Sequence, residues 1–191
     1  EKKPVPETEG SEASEEEVAK LYNNKSFDHQ LVLIDLRSDA RQAFDNVAEF
    51  AFANESHYLI LAVSEEKGEG NKLLAIDLST NEQAVIDQLA SARYSHFAWN
   101  EAGTRLAYLK GNFEDKVVQR PATLFQWRPG KTAKAIKHSQ EGWFVPEENE
   151  LSWSKDSKRL FFGLRPQITA PEPVDTKVES QADLYDLGKL Q

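Results

Sequence analysis

Four histidines, His29, His57, His96 and His138, are the side chains best suited to hold a metal or to move a proton near neutral pH. Their spacing argues against a metal site, because none has a second histidine three or four positions away to share a helix face. No cysteine is present, so thiolate ligands, disulfides and cysteine nucleophiles are all excluded. The segment KGEGNK holds Gly68 and Gly70, but Leu73 stands where a dinucleotide fingerprint needs its third glycine, and a hairpin loop is expected instead. Ser154, Asp156 and Ser157 crowd the stretch WSKDSKRL, yet no G-x-S-x-G elbow occurs, and these residue types bond their own backbone in turns. No catalytic, cofactor-binding or metal-binding residue is therefore expected within the chain. Trp143, in a loop of EGWFVPEENE, is the side chain singled out as a possible surface or channel contact, with burial in a satellite core the favoured reading.

The elements that would position such residues are written in the rest of the chain. Hydrophobic residues make up 39% and charged residues 29% of the 191 residues, enough for a packed core. The net charge of −9 repels phosphate backbones, so nucleic acid is not an expected partner. No apolar run approaches the roughly 20 residues of a membrane helix, and no membrane insertion is expected. The chain opens at Glu1 without an initiator methionine or an apolar leader, as a processed chain or an excised fragment would. Residues 1–20 carry seven glutamates against three lysines and almost nothing to bury, so 1–30 reads as an acidic flexible insertion or linker.

From Leu31 the texture changes to short apolar runs bounded by Asn, Gly, Asp, Ser or Pro, the pattern of strands and tight turns. Twelve strands are predicted: 31–36, 42–44, 48–52, 58–63, 73–78, 84–86, 95–99, 105–109, 124–127, 134–136, 151–153 and 160–162. Two units repeat. In the first, an aromatic residue (Phe52, Trp99, Trp153) ends a strand, a polar turn follows, and an apolar strand begins near Leu59, Leu106 or Leu160. In the second, LVLIDLRSDARQAF, LLAIDLSTNEQAVI and TLFQWRPGKTAKAI each read as strand, turn, strand. Together they make four antiparallel strands, the blade of a β-propeller, at spacings of 47 and 54 residues between aromatics.

The expected fold is all-β, with about three blades over 31–165 forming part of a larger ring, since open ends would leave strand edges unpaired. Phe52, Trp99 and Trp153 occupy equivalent positions, which predicts packing between neighbouring blades; Trp127 lies outside that register. Residues 166–191 read as a proline-rich linker leading to a short helix or the start of another blade, with Leu184, Leu187 and Leu190 spaced by three.

The run EGWFVPEENELSWSKDSKRLFFGLRP (141–166), followed by the proline-rich stretch and ADLYDL, resembles the amino-terminal propeller of large bacterial serine peptidases of the prolyl oligopeptidase family. The resemblance extends over about 31–191. It implies a propeller covering an α/β-hydrolase domain with a Ser-Asp-His triad carboxy-terminal to it, peptide substrates, and a periplasmic or secreted location. It transfers no catalytic residue, because no position here matches the triad motifs. A free-standing propeller that binds another protein is the alternative function.

Overall fold

The computed structural model describes residues 29–65, 68–112 and 120–167, and every regular element among them is a strand. In chain order these are β1 (Leu31–Ile34), β2 (Arg41–Phe44), β3 (Val47–Phe52), β4 (Tyr58–Val63), β5 (Lys72–Asp77), β6 (Glu82–Gln88) and β7 (Ala92–Trp99). They continue with β8 (Leu106–Asn112), β9 (Pro121–Trp127), β10 (Lys134–Ile136), β11 (Trp143–Pro146), β12 (Ser152–Trp153), β13 (Leu160–Phe161) and β14 (Arg165–Pro166). The β4 sequence YLILAV and the central LLAI of β5 are unbroken apolar runs because both faces of these strands are covered.

Strands β3 to β6 form a four-stranded antiparallel meander, and β7, β8, β9 and β10 form a second. Hairpin β1–β2 stands before the first and hairpin β12–β13 after the second. This is the all-β, four-stranded-blade architecture of a propeller: an outer pair, two full blades and an inner pair.

Residues directly opposed across an antiparallel ladder share a face. Phe52, Leu59 and Ile76 are opposed across β3, β4 and β5, as are Phe50, Leu61 and Leu74. That face of the first blade carries Leu31, Leu33 and Phe44 of the first hairpin. The opposite face, with Ile60, Ala62, Leu73 and Ala75, packs on Tyr94, Leu106, Tyr108 and Trp127 of the second blade. The far face of the second blade, Ala107, Leu109, Leu124 and Val145, is covered by Trp153, Leu160 and Phe162. The apolar core is thus three layers, each between consecutive blades. Burial of each large side chain contributes about 1.5–3 kcal/mol, so these layers dominate the stability.

The twelve predicted strands are all present, with ends shifted by a few residues. Two expectations are corrected, at Trp143 and Phe52, and the burial of Trp127 is new. Trp143 lies in strand β11, not in a loop, because β11 pairs with the start of β9 while β10 pairs with its end, so the fourth strand of the second blade is split in two. Trp127, outside the aromatic register, is only 5% exposed and sits in the middle of a core layer. Phe52, expected to pack between blades as Trp99 and Trp153 do, is 47% exposed, since the outer pair β1–β2 does not reach the inner strand. The acidic head up to residue 28 and the leucines of 184–190 lie outside the described residues. Among the described residues no helix is long and apolar enough to cross a membrane.

Candidate functional site

Antiparallel meanders put the turns after first and third strands at one end of the blades. At that end the turns 53–58, 100–105 and 154–159 have the same length and the same closing bond, from the first N–H to the last carbonyl, at 2.9 Å in each. In two of them the first side chain also acts alike: Asn100 Oδ1 accepts from Arg105 N at 2.7 Å, and Ser154 Oγ accepts from Arg159 N at 2.9 Å. The fourth position is left-handed in two of them, Gly103 (φ 61°) and Ser157 (φ 56°), and there the carbonyl turns toward the preceding blade. Ser56 Oγ donates to the Gly103 carbonyl at 2.9 Å, and Arg105 donates to the Ser157 carbonyl at 3.3 Å. Asn100 Nδ2 adds a bond to Ser157 Oγ at 3.0 Å. Each blade is thereby tied to the next through one carbonyl.

Carboxylates also cap three turns at this end, two outside that repeated set and one within the 154–159 turn. Asp35 accepts from the backbone of Arg37 and Ser38, Asp77 from the hydroxyl and N–H of Ser79, and Asp156 from the Ser154 hydroxyl and Lys158 N–H. These bonds hold all three carboxyls below the usual range, led by the Arg37 N–H for Asp35, the Ser79 hydroxyl for Asp77 and the Ser154 hydroxyl for Asp156. Ser154 is therefore engaged in its own turn. Beside the Asp35 turn, a cleft of about 780 Å³ opens between the tip of β1–β2 and Leu78 and Asn81.

At the opposite end, Trp143 stands on β11 across from Pro166 of β14, with its indole 40% exposed. Its strand is anchored from below. Glu147 is buried, takes Arg93 at 2.9 Å and has Arg120 at 3.8 Å, while its N–H bonds the Arg120 carbonyl. Glu148 and Arg165 pair at the surface at 2.9 Å. An exposed indole beside a proline, rimmed by charges, can stack on an apolar, aromatic or proline-containing segment. It holds no group placed to break a bond.

Among the described residues no three His, Cys, Asp or Glu side chains are grouped to hold a metal. One pairing was not read from sequence: His96 Nδ1 lies 3.0 Å from Ser95 Oγ in a bulge of β7, where His96 has φ 56°. Ser95 is almost wholly buried, so its hydroxyl cannot reach a substrate. In the layer between the two full blades, Tyr58, Trp99 and Trp127 form an aromatic cluster with centroids 5.9 to 6.4 Å apart. Nearby, burial first and the Asp87 carboxylate second push the Tyr94 and Tyr108 phenols up, and Asp87 itself bonds Lys110 at 2.8 Å. These groups support the blades rather than face a ligand.

No family model and no curated protein matches the chain. Solved structures do. The tricorn protease aligns with 71% of this chain at TM-score 0.51 and 15% identity. Hydrazine synthase of Kuenenia stuttgartiensis aligns with 73% at TM-score 0.51 and 9% identity. The β-propeller domain of the Trilobed protease of Pyrococcus furiosus also aligns, with 72% of the chain at TM-score 0.34 and 12% identity. The likeness to the tricorn protease and to hydrazine synthase is one of fold. The chain spans 13% of the tricorn protease and 44% of the hydrazine synthase chain.

Proposed function

We propose that this chain is a non-catalytic propeller segment of a prolyl oligopeptidase-family serine peptidase, gating and docking peptides for an α/β-hydrolase domain outside the chain. The observation that carries the reading is the blade architecture itself, shared with the tricorn protease and tied blade to blade by the Gly103 and Ser157 carbonyls. Blades fixed in this way surround a passage of set width, which selects substrates by access rather than by chemistry. Trp143 is the proposed docking contact. A periplasmic or secreted location belongs to the same proposal and is checked by fractionating cells that express the parent protein.

Purified residues 1–191 are expected to show no peptidase or esterase activity and no labelling by a serine-directed fluorophosphonate, because nucleophile, base and oxyanion hole act as a unit. Stoichiometric labelling of one serine would overturn this. A G-x-S-x-G in the coding sequence beyond Gln191 is the matching positive outcome. The likeness to hydrazine synthase at the same TM-score keeps the fold from selecting a peptidase, and the second reading is a free-standing propeller that binds another protein.

A further inference from the structure

Trp143 is presented by a strand that its own ladders barely hold. Among the described residues β11 meets β9 at two positions, Val145–Ala122 and Pro146–Pro121, and neither proline has an N–H to give to the second. On its other side β11 meets β14 at Trp143–Pro166 and Phe144–Arg165, again with a proline in one pair. Pairings this short fix a register weakly, and a slip of one residue would carry Trp143 to the opposite face of the blade. Something else must hold the strand.

Arg93, Gly111, Ala122 and Val145 are opposed in turn across β7, β8, β9 and β11, and so form one row across the second blade. Trp143 and Glu147 stand on the same face as Val145, two residues to either side of it. The Glu147 carboxylate lies over Gly111, where a Cβ would come within 3.5 Å of its Cγ and Cδ, and it reaches Arg93 of the first strand at 2.9 Å. Its N–H bonds the Arg120 carbonyl at 2.9 Å, which continues the ladder past the two prolines. One residue thus ties the fourth strand of the blade to the first. Resting on the reading of Trp143 as a docking contact, we propose that Glu147 is its positioning residue: clamped between Arg93 and Arg120, it sets the register of β11 and hence the face on which a peptide meets the indole. A carboxylate only 9% exposed gives up hydration that an apolar side chain would not, so the clamp acts by selecting one register more than by adding stability.

Fluorescence anisotropy of a dye-labelled peptide of alternating proline and leucine, titrated with the full chain, tests this in Trp143→Ala, Glu147→Gln and the double variant. Each single change is expected to weaken binding about tenfold. The double variant is expected to bind no more weakly than Trp143→Ala, since Glu147 acts through the indole. Acrylamide quenching reads the same effect without peptide: the quenchable indole that Trp143→Ala removes is expected to become more accessible in Glu147→Gln. Arg93→Gln cuts the clamp from the other side and is expected to match Glu147→Gln, and it takes that variant's place should Glu147→Gln lose amide protection in β8 and β9. Losses that add in the double variant, or a clamp variant that binds as the wild type does while Trp143→Ala does not, would overturn the positioning role and leave the docking reading standing. Unchanged binding in Trp143→Ala would instead overturn the docking reading, and this inference with it.

Discussion

At the residue scale the aromatic side chains give the sharpest expectations. Trp127 and Trp99 lie in one apolar layer, so each substitution to Ala is expected to cost about 3–5 kcal/mol through lost transfer energy and a cavity. Trp153 lies in the neighbouring layer and donates Nε1–H to the Ala98 carbonyl at 3.0 Å, which places it in the same range. Trp143→Ala is expected to cost about 1 kcal/mol or less. Denaturant midpoints at constant m-value give the order, and a costlier Trp143 would show that its indole is covered in solution. Gly103 offers a second comparison. A Cβ there would sit 2.8 Å from Ser56 Oγ at φ +61°, whereas one on Gly130, at φ +70°, meets nothing within 4 Å. Both changes to Ala carry the left-handed strain of about 1–2 kcal/mol, and only Gly103→Ala adds a clash at a blade junction. Its midpoint is expected to fall further.

At the scale of elements, pH separates turns from layers. Asp35, Asp77 and Asp156 have lowered folded pKa values, so the stability they contribute is complete above the ordinary carboxylate range. It is lost as pH falls through the depressed folded values, and urea midpoints are expected to drop below about pH 4. The change should be smaller in Asp77→Asn. Tyr94 and Tyr108 act at the other extreme: their folded pKa values are raised above the unfolded value near 10, so stability holds below that pH and declines above it. Phenylalanine at both positions is expected to blunt the alkaline loss. Elements also show what could be read in advance. The turns after Phe52, Trp99 and Trp153 were legible because their chemistry is local and repeated. Strand β11 was not, because WFVP has only one short pairing with β9 and one with β14, both decided by distant chain. The burial of Trp127 was missed for the same reason: its partners Tyr58 and Trp99 come from other strands.

For the whole molecule, stability is a sum over layers between neighbours, and it is uneven. Strands β4, β5 and β8 hold most of the fully buried side chains, so their amides are expected to exchange most slowly. The two-residue strands β12 and β13, covered on one face only, are expected to exchange much faster. Equal protection across all strands would mean that the incomplete ends are filled. Phe52 teaches the same lesson for sequence reading. Its place in the repeat was correctly seen, but exposure depends on a neighbour that the repeat does not itself contain.

The direction of the ties between turns bears on synthesis. Ser56 precedes Gly103, and Asn100 and Arg105 precede Ser157, so at this end the donors leave the ribosome before their acceptors. Each emerging blade therefore meets a template already in place, and folding can advance in step with translation at about 5–20 residues per second. The hairpin β1–β2 is the exception, because an isolated two-stranded hairpin is marginal in water and its partner face on β4 and β5 is made later. Nascent chains should thus gain protection one blade at a time, with β1–β2 protected only after β4 and β5 have cleared the exit tunnel.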